Sequence, residues 1–385
     1  MTAPAILQVL PALETGGVER GAVQIAGATV RAGWRSVVAS AGGAMVRELE
    51  RAGARHIQLP LDTKNPFAIR RNIERLLHVI DTERVDLVHA RSRAPAWSAW
   101  SAARRRRIPF VTTFHGTYGA GNAFKRLYNS VMVRGEPTIA TSEFIARHII
   151  ETYKVPVDRL RLIPRGIDLE KFSPERVHAH RLLQLQKDWR LPDGVPVILL
   201  PGRLTRWKGQ TVLIEALTLL KRTDIICVLA GSDQGRTNYR QELERLVSGQ
   251  GLQGRVRIVG DCNDMPAAYM LADVVVSAST DPEAFGRVPV EAQAMGRPVI
   301  ATDHGGARET ILPGVTGWLV EPGDAASMAE ALTDAIDLST EARLAIAETA
   351  IAHVRENYDQ QTMCDSTLAV YLEALARAGY RQSAA

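Results

Sequence analysis

The sequence predicts an α/β protein built on two doubly wound parallel sheets, and three observations carry that expectation. Short segments rich in Val and Ile alternate with helix-like segments along the chain. The alternation runs twice, with a polar interval between the two rounds. At 385 residues with 46% hydrophobic side chains, the chain is long enough for two domains and apolar enough for two cores. Strands buried on both faces read as continuous β-branched runs, and such runs separated by helices form parallel sheets.

In the first round the strand candidates are residues 6–10, 36–40, 85–90, 109–114 and 138–141; in the second they are 196–201, 225–230, 256–259, 273–277 and 298–302. Between them, a polar stretch containing His178 and His180 reads as a linker near residues 168–190. The expected domains are therefore residues 1–175 and 176–359, facing each other across a cleft. Residues 359–378 show helical spacing at Met363, Leu368, Tyr371, Leu372 and Leu375. The last five residues are expected to fray.

Forty-seven Lys and Arg against 42 Asp and Glu give a net charge of +5, which invites an anionic partner. The dense basic run, Arg104 to Arg107, closes a helix expected to begin near Pro95 and to carry Trp97 and Trp100. Two readings stand: cations favoured at a helix C-terminus, or contact with anionic headgroups or a phosphorylated acceptor, with the tryptophans as interfacial anchors. Nucleic acid is not expected, because no helix-turn-helix, aromatic RNA-binding set or zinc-finger spacing accompanies the charge. Cys227, Cys262 and Cys364 are far apart and are expected to be reduced thiols. No apolar run approaches the roughly 18 to 20 residues of a membrane span, and the N-terminus reads as a strand, so a cytoplasmic protein is expected.

The most informative stretch runs from Asp281 to Gly306. An apolar run leads into a loop bearing Glu283 and Gly286, then into a helix expected to open near Val288 with Glu291 in its first turn. The first N–H groups of such a helix point outward with its positive dipole end, which suits a phosphate or a sugar oxygen. Two carboxylates beside that end can accept hydrogen bonds from a polyhydroxylated ligand. A Glu there is also favoured by the dipole alone.

Three further candidates follow strand ends. Arg203 and Lys208, in Gly202–Gln210, suit a diphosphate. Gly16 and Gly17 mark a turn into a helix and let backbone approach a ligand, although the spacing is not that of a dinucleotide fold. His115 follows residues 109–114 at the ligand side of the sheet, where it could equally satisfy a loop carbonyl.

The segment carrying Glu283, Phe285, Gly286, Glu291, Ala292, Gly296, Pro298, Val299 and Gly305-Gly306 resembles the E-x7-E signature of retaining GT-B glycosyltransferases, specifically glycosyltransferase family 4. The resemblance runs from Gly16 to Gly317. It implies the GT-B architecture, with a C-terminal helix at 360–380 completing the first domain, and transfer of a sugar from a nucleoside-diphosphate sugar such as a UDP- or GDP-sugar. It further implies that Glu283 lies beside the transferred sugar, that Glu291 binds the nucleotide ribose, and that His115 contacts the sugar near the reaction centre. Arg203, Lys208 and Gly17 would meet the diphosphate, helped by Gly286, Arg287 and Val288 at the turn. Gly231 and residues 260–266 would hold the nucleobase.

Glu19, Arg20 and Tyr118 are expected on the acceptor side, the acceptor being a glycan or a lipid-linked molecule, with an anionic inner-membrane surface as a further partner. No Asp-x-Asp stands at a strand end, so no metal and no cofactor are expected. The position of Arg165 is more often Asn in the family. The family also leaves open a phosphorylase or epimerase, or a protein that binds nucleotide sugars without catalysis.

Overall fold

The computed structural model describes residues 3–119, 121–220, 222–235 and 237–380. The expected fraying of residues 381–385 lies outside them. The chain divides into two compact units, one running to Gly166 and resuming at Gln360, the other Ile167–Asp359.

The first unit holds a seven-stranded sheet: β1 (Ala5–Val9), β2 (Arg35–Ser40), β3 (Arg55–Gln58), β4 (Leu87–Ala90), β5 (Phe110–Phe114), β6 (Thr138–Ala140) and β7 (Leu160–Leu162). Their spatial order is β3-β2-β1-β4-β5-β6-β7, and every pairing is parallel. The second unit holds β8 (Val197–Pro201), β9 (Ile226–Ala230), β10 (Val256–Gly260), β11 (Val274–Ser277), β12 (Val299–Thr302) and β13 (Gly317–Val320), in the order β10-β9-β8-β11-β12-β13, again parallel. In each sheet the winding reverses direction once, between β1 and β4 and between β8 and β11. Loops leaving the two central strands there diverge, and the crevice at their C-terminal ends is where an open α/β sheet binds ligands.

Period-two burial explains why the strands read as unbroken apolar runs. On β8, Ile198 and Leu200 enter one core with Leu213, Leu217 and Leu332, while Val197 and Leu199 enter another with Tyr269, Val290 and Val354. In the first unit Ile6, Leu87, Val111 and Ile139 meet the last helix, Gln360–Arg377, through Met363, Val370, Tyr371 and Leu375. That helix is tied down by polar contacts as well: His89 Nδ1 lies 2.6 Å from the Tyr371 hydroxyl, and Arg161 Nε donates to Glu373 at 2.9 Å.

The boundary differs from the expected one. Residues 168–190 do not form a linker; they belong to the second unit, whose core takes Ile167, Phe172 and Trp189. Helix Ala179–Asp188 packs on helix Met265–Leu271, and Arg181 grips Asp264 with bonds of 2.7 and 2.5 Å. A few large anchors suffice to seat a segment whose outer face is polar, and a composition shift does not reveal them.

Candidate active site

The second unit builds its site from the loops after β8, β11 and β12. After β11, the chain passes through Glu283 and turns at Gly286 (φ +81°) into helix Arg287–Ala294, which has no side-chain cap. The helix opens at Arg287, next to the expected Val288, but Glu291 is its fifth residue and sits beyond the first turn. It is placed there by partners: Arg287 donates through Nη2 at 2.8 Å and Nε at 3.1 Å, and the buried Tyr269 hydroxyl donates at 2.9 Å. Burial, then the neighbouring Glu291 charge, holds the Tyr269 phenol well above its ordinary value, so it remains a donor.

Glu283 is fixed differently. Lys208 Nζ lies 2.6 Å from its Oε1, Ser279 Oγ donates to the same oxygen at 2.5 Å, and the two charged side chains are 13% and 19% exposed. Burial pushes the Glu283 carboxyl up, but the Lys208 charge and hydrogen bond, the Ser279 hydroxyl and nearby His304 outweigh it and hold the carboxyl below its usual range. The residue is a carboxylate at neutral pH.

Glycines make this approach feasible. A Cβ on Gly305 (φ +60°) would fall on the Glu283 carbonyl, and one on Gly209 (φ +68°) would fall on the Ala278 carbonyl. The Gly305-Gly306 pair thus presses the β12 loop onto the Glu283 backbone, where the Gly306 N–H donates to the Glu283 carbonyl at 2.9 Å. Gly231 has a steric role too, since a Cβ there would collide with the Gly202 carbonyl. Arg203 is exposed and has no ion pair among the described residues. Residues Asp261, Cys262 and Asp264 of the 260–266 segment line a cavity of about 660 Å³ with Arg181, Trp189 and Arg257.

His304 escaped the sequence reading. It directly precedes the glycine pair, and both ring nitrogens are buried without a hydrogen-bond partner among the described residues. Its place just beyond the C-terminal end of β12 is the signal that could have found it.

In the first unit, Gly16-Gly17 opens helix Gly17–Arg31 without a side-chain cap, and the Glu19 carboxylate folds back over Gly16. Arg20 and Tyr118 are half-buried. His115 follows β5, its N–H donating to the Tyr118 hydroxyl at 3.4 Å, and neither ring nitrogen has a hydrogen-bond partner among the described residues. Burial first, then the charges of Arg91 and Arg165, hold its imidazole well below the ordinary value, so it is neutral near pH 7.

The basic run is split by its helix, Arg93–Arg106, which starts two residues before the expected Pro95. Arg105 and Arg106 pair with Glu74 and Asp81 at 2.6 Å each. Arg104 and Arg107 instead line a cavity with Trp100, Arg134 and Arg377. Trp97 donates its indole N–H to the Tyr128 carbonyl at 2.9 Å, and Arg134 stacks over Trp100 with its guanidinium carbon 4.2 Å from the ring centre. The tryptophans serve as platforms inside this cluster.

Comparison with known proteins decides the family. Residues 15–171 match the model of Glycosyltransferase Family 4, and residues 184–353 match that of Glycosyl transferases group 1. A D-inositol 3-phosphate glycosyltransferase of Xylanimonas cellulosilytica is 32% identical over 308 residues, spanning 76% of this chain and 73% of that protein. The chain belongs to glycosyltransferase family 4. Among solved structures, a glycosyltransferase from Rickettsia africae matches with TM-score 0.90 and 38% identity, over 97% of this chain and 99% of that one. Anabaena Alr3699/HepE in complex with UDP-glucose matches with TM-score 0.83 and 25% identity, over 96% and 99%. The family-4 chain is thus a glycosyltransferase with two parallel-sheet Rossmann-like units of the GT-B type. Among its described residues no helix is long and apolar enough to cross a membrane, and no group of three or more His, Cys, Asp or Glu could hold a metal ion.

Proposed function

We propose that this glycosyltransferase moves a sugar from a nucleoside-diphosphate sugar to an acceptor hydroxyl with retention at the anomeric carbon and without a metal ion. The observation that carries the reading is the Lys208–Glu283 pair beside an uncapped helix N-terminus: one cation and free N–H groups for a leaving diphosphate, one carboxylate for the sugar it leaves. The bond from the anomeric carbon to phosphate breaks, and its electron pair stays on the diphosphate. The acceptor oxygen bonds to the same face of that carbon as its proton passes to the departing phosphate oxygen.

Arg203, Lys208 and the N–H groups of Arg287 and Val288 stabilise the negative charge. Glu283 faces the positive charge on the ring, and Glu291, held by Arg287 and Tyr269, accepts from the nucleotide ribose. Being neutral, His115 acts as a hydrogen-bond partner of the sugar and not as an acid. Likeness to a protein solved with UDP-glucose favours a UDP-sugar donor, with a GDP-sugar as the alternative. The cavity at Arg104, Arg107 and Arg134 favours a cytoplasmic protein resting on an anionic inner-membrane surface, in keeping with a role in lipopolysaccharide or other envelope glycan synthesis.

A panel of UDP- and GDP-sugars, read by thermal shift and by release of nucleoside diphosphate, tests the donor. Glu283→Gln should lower transfer by about a hundredfold or more while leaving nucleotide affinity within a factor of about three. Unchanged turnover in that variant overturns the assignment, and loss of activity on chelation overturns the metal-free mechanism.

A further inference from the structure

We infer that the acceptor is acidic, and that the first unit holds its carboxylate or phosphate between Arg91 and Arg165 at the N-terminus of helix Gly17–Arg31. The inference rests on the transfer reading above and names the acceptor class for it.

Arg91 follows β4, at the reversal of winding in the first sheet. Its side chain is buried, with the residue 4% exposed. One terminal nitrogen donates to Gln8 at 3.2 Å, Nε has no partner, and no carboxylate pairs with it among the described residues. A guanidinium cannot shed its charge in a protein, so burying one without a counter-ion is costly unless an anion arrives.

Arg165 brings a second cation to the same spot. Nη2 of Arg91 and Nη2 of Arg165 each lie 2.9 Å from where a Cβ on Gly21 would stand. Arg165 also donates to the Gly17 carbonyl, which ties it to the start of the helix. Like charges repel, and two forks converging over a glycine match the geometry that grips a carboxylate or phosphate. The helix adds its own positive end, fifteen residues long and without a side-chain cap.

The surroundings repeat the sign. Arg93 occupies the first residue of helix Arg93–Arg106, where the dipole disfavours a cation. It lies over the Tyr118 ring at 4.1 Å and donates to Asn129 at 3.1 Å, with no carboxylate partner among the described residues. His115 beside them is neutral. The Glu19 carboxylate is folded over Gly16 and favours the Arg91 charge from there without pairing with it.

The donor could also supply a phosphate, so the test separates the two sources. Thermal shift is measured with inorganic phosphate, glucuronate and glucose, each with and without saturating UDP or GDP, for wild type, Arg165→Asn and Arg91→Lys. Transfer from the productive nucleotide sugar is then assayed with glucose 6-phosphate, glucuronate and glucose as acceptors. Phosphate and glucuronate should stabilise the wild type even under saturating nucleotide, and glucose should not. Acidic acceptors should be preferred over glucose by at least about tenfold, and Arg165→Asn should lose that preference while binding nucleotide as the wild type does.

Arg91→Lys keeps the charge but not the fork, and should lose most of the preference too. Saturating nucleotide that abolishes the anion shift would mark the site as the donor's and overturn the inference. Nucleotide binding and turnover without any acid preference would overturn it while leaving the transfer reading intact. Failure to bind or consume any nucleotide sugar would remove the transfer reading and the acceptor assignment together.

Discussion

Lys208 and Glu283 lie 75 residues apart and meet at 2.6 Å between Nζ and Oε1, each four-fifths or more buried. The cation suited to a leaving diphosphate is the counter-ion of the carboxylate suited to the sugar. A diphosphate that recruits Lys208 therefore alters the field at Glu283, coupling donor binding to the carboxylate's charge.

Lys208→Met should break this coupling visibly. It leaves Glu283 with Ser279 and His304 but no ammonium, and should destabilise the fold by about 3 kcal/mol, the low end for breaking a buried pair because both side chains keep some exposure. The pH dependence changes sign with it. In the wild type the folded carboxyl value is depressed, so its contribution is complete above the ordinary value of about 4.3 and is lost as pH falls through the folded value. In the variant, burial dominates and raises that value, so the contribution is present at low pH and lost as pH rises through it. Urea unfolding at about pH 4 and about pH 7 checks both signs; parallel pH curves for the two proteins would contradict the account.

His115 predicts an absence in kinetics and a slope in stability. Since its folded value lies well below 6.5, kcat/KM should show no inflection from this residue near about pH 6.5, and His115→Asn should lower activity without changing the profile's shape. An unfolded His takes up a proton that the folded one refuses, so stability is complete above about 6.5 and falls as pH drops below it. The wild-type slope between about pH 5 and 6.5 should exceed that of His115→Gln by up to about 1.4 kcal/mol per pH unit, the effect of one proton. His89 shifts in the same direction and contributes its own slope, which both proteins share.

The fold was legible where strands are buried on both faces. Ten strands stand in the sequence, most of them, such as Ile226–Ala230 and Val274–Ser277, as apolar runs, and the edge strand Val256–Gly260 through its Val and Ile around Arg257. The three that the sequence hides are Arg55–Gln58, Leu160–Leu162 and Gly317–Val320, and all are sheet edges. An edge strand such as Arg-His-Ile-Gln meets solvent and needs no apolar run, so periodicity leaves no trace of it. Residue types at strand ends made Glu283, Glu291 and Lys208 candidates in the second unit and His115 a candidate in the first. What chemistry of single residues could not show is the pairing: Tyr269 with Glu291, or the convergence of Arg91 and Arg165, joins parts of the chain with no sequence relation.

The close approach of Gly305 to Glu283 can be isolated by a matched pair of variants. Gly305→Ala and Gly314→Ala both place a side chain in the left-handed region, at φ +60° and +74°. Each should cost about 1–2 kcal/mol for that reason. Around Gly314 a Cβ meets nothing within 4 Å, whereas at Gly305 it would strike the Glu283 carbonyl. Gly305→Ala should therefore be less stable than Gly314→Ala by at least about 1 kcal/mol and lose most donor turnover, while Gly314→Ala retains it. Equal melting temperatures and equal activities would show that the β12 loop does not press on Glu283.

His304 should separate function from folding in the opposite way. Its ring nitrogens are buried yet make no hydrogen bond among the described residues, and the ring lies close enough to help hold the Glu283 carboxyl down. Buried polar atoms left without partners are a standing cost, and a ligand that accepts from one of them repays it. His304→Leu removes both polar atoms while filling much the same space, so the fold should keep its stability within about 1 kcal/mol or gain slightly. Donor binding should lose the hydrogen bond, with KM for the nucleotide sugar rising about tenfold. His304→Gln, which restores a side-chain donor near the same place, should recover part of that loss. A leucine variant with normal KM and reduced stability would make the ring a packing element with no part in donor binding.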